Sequence, residues 1–64
     1  MTRFTTGTRT IPTRTLGSLI RPTITDTETG QTATFIPDTD VTAIATRLND
    51  GTETPDRYQW ERHQ

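Results

Sequence analysis

The sequence predicts a small α+β domain of the ββαβ type, with an antiparallel hairpin, one amphipathic helix and a C-terminal strand, preceded by an extended N-terminal arm. Three observations support this prediction. A turn sequence separates two segments with apolar residues at alternate positions, a segment with helical spacing follows, and an alternating aromatic segment comes last. We place the arm at residues 1–15 and the single ββαβ domain at residues 16–64.

The N-terminal segment is rich in Thr and Arg and poor in apolar residues. Phe4 and Ile11 are the side chains that could anchor it to a core. Pro12 lacks a backbone N–H, so it fits an arm or an edge strand better than a central strand. The sequence therefore predicts an extended arm that contributes at most one edge strand.

The hairpin is predicted between Leu19 and Pro37. Residues 26–31 have turn composition, and Gly30 supplies the positive φ that closes the turn. Pairing Asp26 with Gln31 gathers the apolar residues on one face, in the pairs Ile24 with Ala33, Pro22 with Phe35 and Ile20 with Pro37. A register shifted by one residue would divide them between the two faces, so we prefer the first pairing.

A helix of about three turns is predicted next, because apolar residues recur at the spacing of one helical face. These residues are Val41, Ile44, Ala45 and Leu48. Asp38 is the predicted N-cap, with Asp40 in the first turn, where a carboxylate complements the helix dipole. Gly51 is the predicted stop, because glycine readily adopts the left-handed conformation that ends helices.

The C-terminal segment, residues 57–64, alternates in character and predicts a third strand. Tyr58 and Trp60 fall on one side of it, together with Arg62. We expect the two aromatic side chains to complete the core over the helix.

Composition limits both the core and the chemistry. Hydrophobic residues make up 27% of the 64-residue chain, and there is no Cys, which excludes disulfides and thiolate metal sites. No apolar segment approaches the roughly 18 residues of a membrane span, and none has the character of a leader peptide. We therefore expect a cytoplasmic protein without a membrane partner.

The use of polar residues points to an origin. Threonine occurs 18 times and serine once, and all seven basic residues are Arg. Lys codons are rich in A and T, whereas Thr and Arg can be encoded with G and C. This pattern predicts a high-GC genome, such as that of an actinobacterium or one of its phages.

A resemblance agrees with that origin. Residues 24–64 contain an Asp-x-x-Thr-Gly hairpin starting at Asp26, a phenylalanine at Phe35, a helix ending in Leu48-Asn49 and an aromatic closing segment. In these features the chain resembles short uncharacterised proteins of actinobacteria and their phages. The resemblance implies a ββα architecture and a host range, and it implies no catalytic residue.

No residue pattern predicts a catalytic, cofactor or metal site. His63 is the single histidine and has no carboxylate at ligand spacing beside it. Asp38 and Asp40 are explained by the start of the helix, and the four glycines are too far apart for a phosphate-binding loop. We therefore expect a protein that is not an enzyme and that has no cofactor.

Charge is divided along the chain. Residues 1–25 contain four Arg and no acid, whereas residues 26–56 contain seven acids and one Arg. This arrangement describes a basic arm on an acidic body. Nucleic-acid binding through an Arg arm is a less favoured hypothesis, because a polyanion would be repelled by the acidic body.

The remaining interpretation is binding to another protein or to a second copy of the chain. The predicted contact residues are Arg3, Arg9 and Arg14 of the arm and Arg21, Thr23 and Thr25 of the exposed hairpin face. Two forms of this function stay open: a host-directed effector or regulator in the cytoplasm, and a structural or decoration component of a virion whose arm laces between subunits.

Overall fold

The computed structural model describes residues 2–15 and 17–62. In chain order the elements are β1 (Phe4–Pro12), β2 (Ser18–Asp26), β3 (Gln31–Thr34), α1 (Val41–Asp50), a short 3-10 helix (Pro55–Arg57) and β4 (Glu61–Arg62). The strands form an antiparallel sheet in the order β1-β2-β3-β4. The predicted α+β class is confirmed.

The sheet contains a first strand that the prediction had assigned mainly to the arm. β1 pairs with β2 along its whole length, from Phe4 opposite Asp26 to Pro12 opposite Ser18. Pro12 lies at the end of an edge strand, where a missing N–H costs little. Most of the N-terminal segment is therefore an edge strand of the domain, since Thr is β-branched and fits a pleated strand well.

The β2–β3 hairpin has the predicted register. Asp26 lies opposite Gln31, and Ile24 lies opposite Ala33. In the turn, the Gly30 N–H donates to the carbonyl of Asp26 at 2.8 Å, and Gly30 has a φ of 77°. The Asp26 side chain also accepts the Glu28 N–H at 3.0 Å, so the local polar contacts close the turn.

Helix α1 starts two residues later than predicted. Asp40 is the N-cap, and its carboxylate accepts the Ala43 N–H at 3.2 Å. The predicted cap, Asp38, precedes the helix because Ile36 to Thr39 form a tight turn, in which the Thr39 N–H donates to the Ile36 carbonyl at 3.0 Å. The predicted stop is confirmed, since Gly51 caps the helix with a φ of 81°.

The core lies between α1 and one face of the sheet. Its buried members are Phe4, Ile24, Ile44, Ala45 and Leu48, and Phe35, Val41, Tyr58 and Trp60 pack against them. The rings of Phe4 and Trp60 are 5.8 Å apart, and those of Phe35 and Tyr58 are 5.5 Å apart in an edge-to-face arrangement. The predicted helix face and the packing of both tail aromatics are thus observed.

The C-terminal segment is less regular than the predicted third strand. The 3-10 helix occupies its start, and β4 pairs only Arg62 with Gln31 and Glu61 with Thr32. Trp60 explains the irregular path, because its indole N–H donates to the Pro55 carbonyl at 2.7 Å. His63, considered above as a metal ligand, lies outside the described residues.

Phe4→Ala tests whether β1 belongs to the folded domain. The Phe4 side chain is 3% exposed, so its truncation should lower the free energy of unfolding by about 3–5 kcal/mol. Urea unfolding followed by tryptophan fluorescence measures this loss. Arg14→Ala is the control and should change stability by less than about 0.5 kcal/mol, because Arg14 is exposed and follows the strand. A detached arm would leave both variants as stable as the parent.

Candidate protein-binding surface

The first two strands extend beyond the rest of the sheet. The β1–β2 ladder runs to Pro12 and Ser18, whereas the β2–β3 ladder ends at Thr23 and Thr34. We call residues 8–14 and 18–22 the distal ribbon. None of its residues is buried, and five of them are half-buried. It is a projection formed by two paired strands and the residues that follow β1.

Positive charge is concentrated on this projection. Arg9 and Arg21 lie opposite each other in the ladder, and Arg14 follows β1. Arg9 forms an ion pair with Glu61 at 3.6 Å, and the two side chains are 45% and 72% exposed. Among the described residues, no carboxylate forms an ion pair with Arg14 or Arg21. Arg14 is exposed, whereas Arg21 is half-buried and its Nε is buried without a hydrogen-bond partner. The end of the ribbon therefore presents positive charge to a partner chiefly through Arg14 and the part of Arg21 that is accessible.

Arg3 has a different role from the other predicted contact residues. Its Nε and Nη2 donate to the two carboxylate oxygens of Asp26, each at 3.0 Å, and its Nε lies 3.2 Å from Glu28. The guanidinium also lies over the ring of Phe4, at 4.9 Å from the centroid. These contacts engage Arg3 within the fold, where it fixes the base of β1 to the end of β2.

The ion pair with Arg3 lowers the pKa of the buried Asp26 carboxyl. Asp26 is 4% exposed, and the hydrogen bonds from Arg3 lower its pKa below the ordinary value, against the opposing effect of burial. The Glu28 N–H lowers this pKa further. The same pair raises the pKa of Arg3. Asp26 is therefore held as a carboxylate in the folded protein.

The hairpin face that carries Arg21, Thr23 and Thr25, which was predicted to be exposed, is partly buried. Thr23 is 6% exposed, and the Thr25 hydroxyl lies 3.3 Å from that of Thr32. This face is opposite α1. The Arg9–Glu61 pair joins β1 to β4 across it, so the Arg9 side chain lies over the central strands. The prediction is wrong for Thr23 as an exposed contact, while Arg21 and Thr25 are half-buried.

The outer edge of β1 has a regular pattern of free backbone groups. The Arg3 carbonyl accepts the Thr27 N–H at 2.8 Å, which shows that odd-numbered residues of this strand point their backbone groups toward β2. The even-numbered residues Thr6, Thr8 and Thr10 therefore point theirs outward. All three are exposed.

The Asn49 side chain bonds the outward-pointing backbone groups of Phe4, the first residue of this edge. The Phe4 N–H donates to Oδ1 of Asn49 at 2.9 Å, and Nδ2 of Asn49 donates to the Phe4 carbonyl at 3.0 Å. The amide thus acts as a one-residue strand at the base of β1. Sequence reasoning missed this role, because Asn49 next to Asp50 and Gly51 was explained by the end of the helix.

Among the described residues, two large apolar side chains are exposed, one in the ribbon and one after β3. Ile20, in β2, is 61% exposed, and Ile36, which follows β3, is 65% exposed. The predicted pairing of Ile20 with Pro37 does not form part of the ladder, because β3 ends at Thr34. Ile20 therefore gives the ribbon an exposed apolar side chain on the face opposite Arg9 and Arg21.

The described residues contain no group of three or more His, Cys, Asp or Glu side chains that could hold a metal ion. No helix in the described part of the chain is long and apolar enough to cross a membrane. No protein-family model, curated protein or solved structure matches the chain at a significant level. Its surface chemistry is therefore the basis for a functional proposal.

Asp26→Asn tests the ion pair between Arg3 and Asp26 at the base of β1. The pKa of Asp26 is lowered by folding, so its contribution to stability is present above the unfolded value of about 3.9 and is lost as pH falls toward the lower folded value. The variant should lose about 1–3 kcal/mol at pH 7 and show a smaller further loss on acidification. Urea unfolding at pH 7, 5 and 3 measures both effects.

Some acid sensitivity should remain in the variant. Folding also lowers the pKa of Glu53, chiefly through the Thr54 N–H. The parent should nevertheless lose more stability between pH 5 and pH 3 than the variant. Equal losses of stability in the parent and in Asp26→Asn would show that the pKa of Asp26 is the same in the folded and unfolded protein. That result would contradict the ion pair with Arg3.

Proposed function

We propose that this protein is a small non-catalytic module that binds an acidic surface of another protein through its distal ribbon. The observation that carries the proposal is the placement of Arg9, Arg14 and Arg21 on a projection without a buried residue or an acid. The paired strands hold the backbone of Arg9 and Arg21 in place, which reduces the entropy lost on binding.

The chemistry of the ribbon suits carboxylates. An Arg guanidinium offers parallel N–H donors that match a carboxylate in a bidentate geometry, and Arg is enriched at protein interfaces. Ile20, with 61% of its surface exposed, lies on the opposite face of the ribbon from Arg9 and Arg21, because successive side chains of a strand alternate between its two faces. A partner whose acidic side chains face Arg9 and Arg21 fits this chemistry.

The biological setting that we propose follows the composition. A Lys-free, Thr-rich chain of this size fits a high-GC phage or actinobacterium, and a host-directed effector or regulator in the cytoplasm is the form we favour. A virion component is the alternative form. In that form the distal ribbon, rather than an unstructured arm, would contact the neighbouring subunit.

Nucleic-acid binding is the second candidate, and one observation favours it. A two-stranded ribbon fits the major groove of B-DNA, and the ribbon carries Arg9, Arg14 and Arg21. The rest of the chain argues against it, because seven acids in residues 26–56 would lie near the phosphates. The same experiment can compare the two candidates.

Arg9→Ala combined with Arg14→Ala tests the ribbon as the binding surface. The probe is a fluorescein-labelled peptide of alternating Glu and Val, and binding is followed by fluorescence anisotropy at low and moderate salt. The double variant should bind about tenfold more weakly, since two exposed charge contacts are lost. Stability should change little, because the Arg9–Glu61 pair is solvent-exposed.

The matched control is Arg47→Ala combined with Arg62→Ala. It removes the same charge from α1 and β4, outside the ribbon. It should bind the peptide like the parent. If both double variants bound the peptide equally weakly, binding would depend on net charge alone and not on the ribbon. That result would overturn the proposal. A short random-sequence duplex replaces the peptide in a parallel titration, and tighter binding of the duplex would favour the nucleic-acid candidate.

A further inference from the structure

We infer that the outer edge of β1 binds the same edge of a second copy, with the two strands antiparallel about Thr8, so that two sheets join into one of eight strands. This interaction goes beyond the proposed binding of another protein, because it uses the backbone edge of β1 and its partner is a second copy of the chain.

The edge is open and regular. Three residues present both backbone groups outward, namely Thr6, Thr8 and Thr10, and all are exposed. An edge strand with free N–H and C=O groups is a template for another strand unless proline, a bulge or charge protects it. Between Phe4 and Pro12 the single charged residue is Arg9, and the register with β2 has no bulge.

The two ends of the edge match each other in this arrangement. At one end, Phe4 already has its N–H and C=O bonded to Asn49. At the other end, Pro12 has no N–H to donate. Pairing about Thr8 sets Phe4 of one copy opposite Pro12 of the other, so the positions that cannot pair meet one another. The residues between them would form about six hydrogen bonds.

Neighbouring registers are less favourable. A shift that sets the two-fold axis at Arg9 places the Arg9 residues of both copies directly opposite each other, and like charges there are destabilising. A shift to Gly7 brings the blocked Phe4 opposite Thr10 and loses hydrogen bonds. With the axis at Thr8, Arg9 lies opposite Gly7, which has no side chain, and Thr6 lies opposite Thr10.

Charge also favours this arrangement. The antiparallel pairing places the distal ribbon of one copy beside the body of the other. The ribbon is basic, whereas residues 26–56 carry seven acids and one Arg. Asp50, at the end of α1 next to Asn49, lies close to the edge that the partner ribbon would approach. Opposite charges are thereby brought together twice, once on each side of the axis.

Thr8→Arg and Thr8→Glu test the inference as a pair. Thr8 is exposed and lies on the axis, so either variant alone places two like charges opposite each other. Light scattering after size exclusion should show the parent with twice the monomer mass at high concentration. Each variant should dissociate at a concentration at least about tenfold higher than the parent. An equimolar mixture of the two should recover the parent's dimer, because Arg then faces Glu.

Thr15→Arg is the matched control, since it adds the same charge outside β1, and it should dimerise like the parent. Circular dichroism and thermal melting establish that each variant is folded. Two outcomes would overturn the inference: a parent that stays monomeric throughout the concentration range, or a mixture that associates no better than each variant alone. Both readouts are masses, so they are independent of peptide binding by the ribbon.

Discussion

Phe4 and its immediate contacts hold the structure together. Its ring is buried between the sheet and α1 and packs against Trp60, and its backbone N–H and C=O bond to Asn49. The preceding residue, Arg3, bonds to the buried Asp26. One point in the chain thus joins the first strand to the helix, the hairpin and the C-terminal segment, in a domain whose core has few apolar side chains.

The surface chemistry follows from that anchor. The base of β1 is fixed at Phe4, and the far part of its ladder with β2, from Thr8 to Pro12, extends beyond the rest of the sheet. The Arg residues of the N-terminal half of the chain differ in what they contact. Arg3, at the base, is used within the fold, whereas Arg9, Arg14 and Arg21 are farther along and carry little internal pairing. A basic segment of sequence becomes a positioned basic surface.

Much of the fold could be predicted from the sequence where local patterns are strong. The hairpin register followed from keeping the apolar residues on one face, and the helix face and its end at Gly51 followed from spacing and glycine chemistry. The helix start was wrong because two Asp residues compete for the cap, and a turn at Ile36 to Thr39 decides between them. Such a choice depends on the path of the chain before the helix.

The first strand and the polar contacts were harder to predict, for a physical reason. Apart from Phe4, β1 has almost no apolar alternation, so its pairing depends on backbone hydrogen bonds with β2 rather than on a readable pattern. Asn49 and Arg3 act on residues more than 20 positions away. No local motif reveals such partners. The candidate residues Arg9, Arg14 and Arg21 were found from charge, while the burial of Thr23 required the sheet.

Residue-resolved amide hydrogen exchange in a dilute sample tests whether the N-terminal segment is a strand anchored at Phe4. We expect slow exchange at Thr5, Gly7 and Arg9, whose N–H groups point toward β2, and at Phe4, which donates to Asn49. Thr6 and Thr8, which point outward, should exchange quickly. Uniformly fast exchange from Phe4 to Arg9 would show instead that the N-terminal segment is an arm with no fixed place in the sheet.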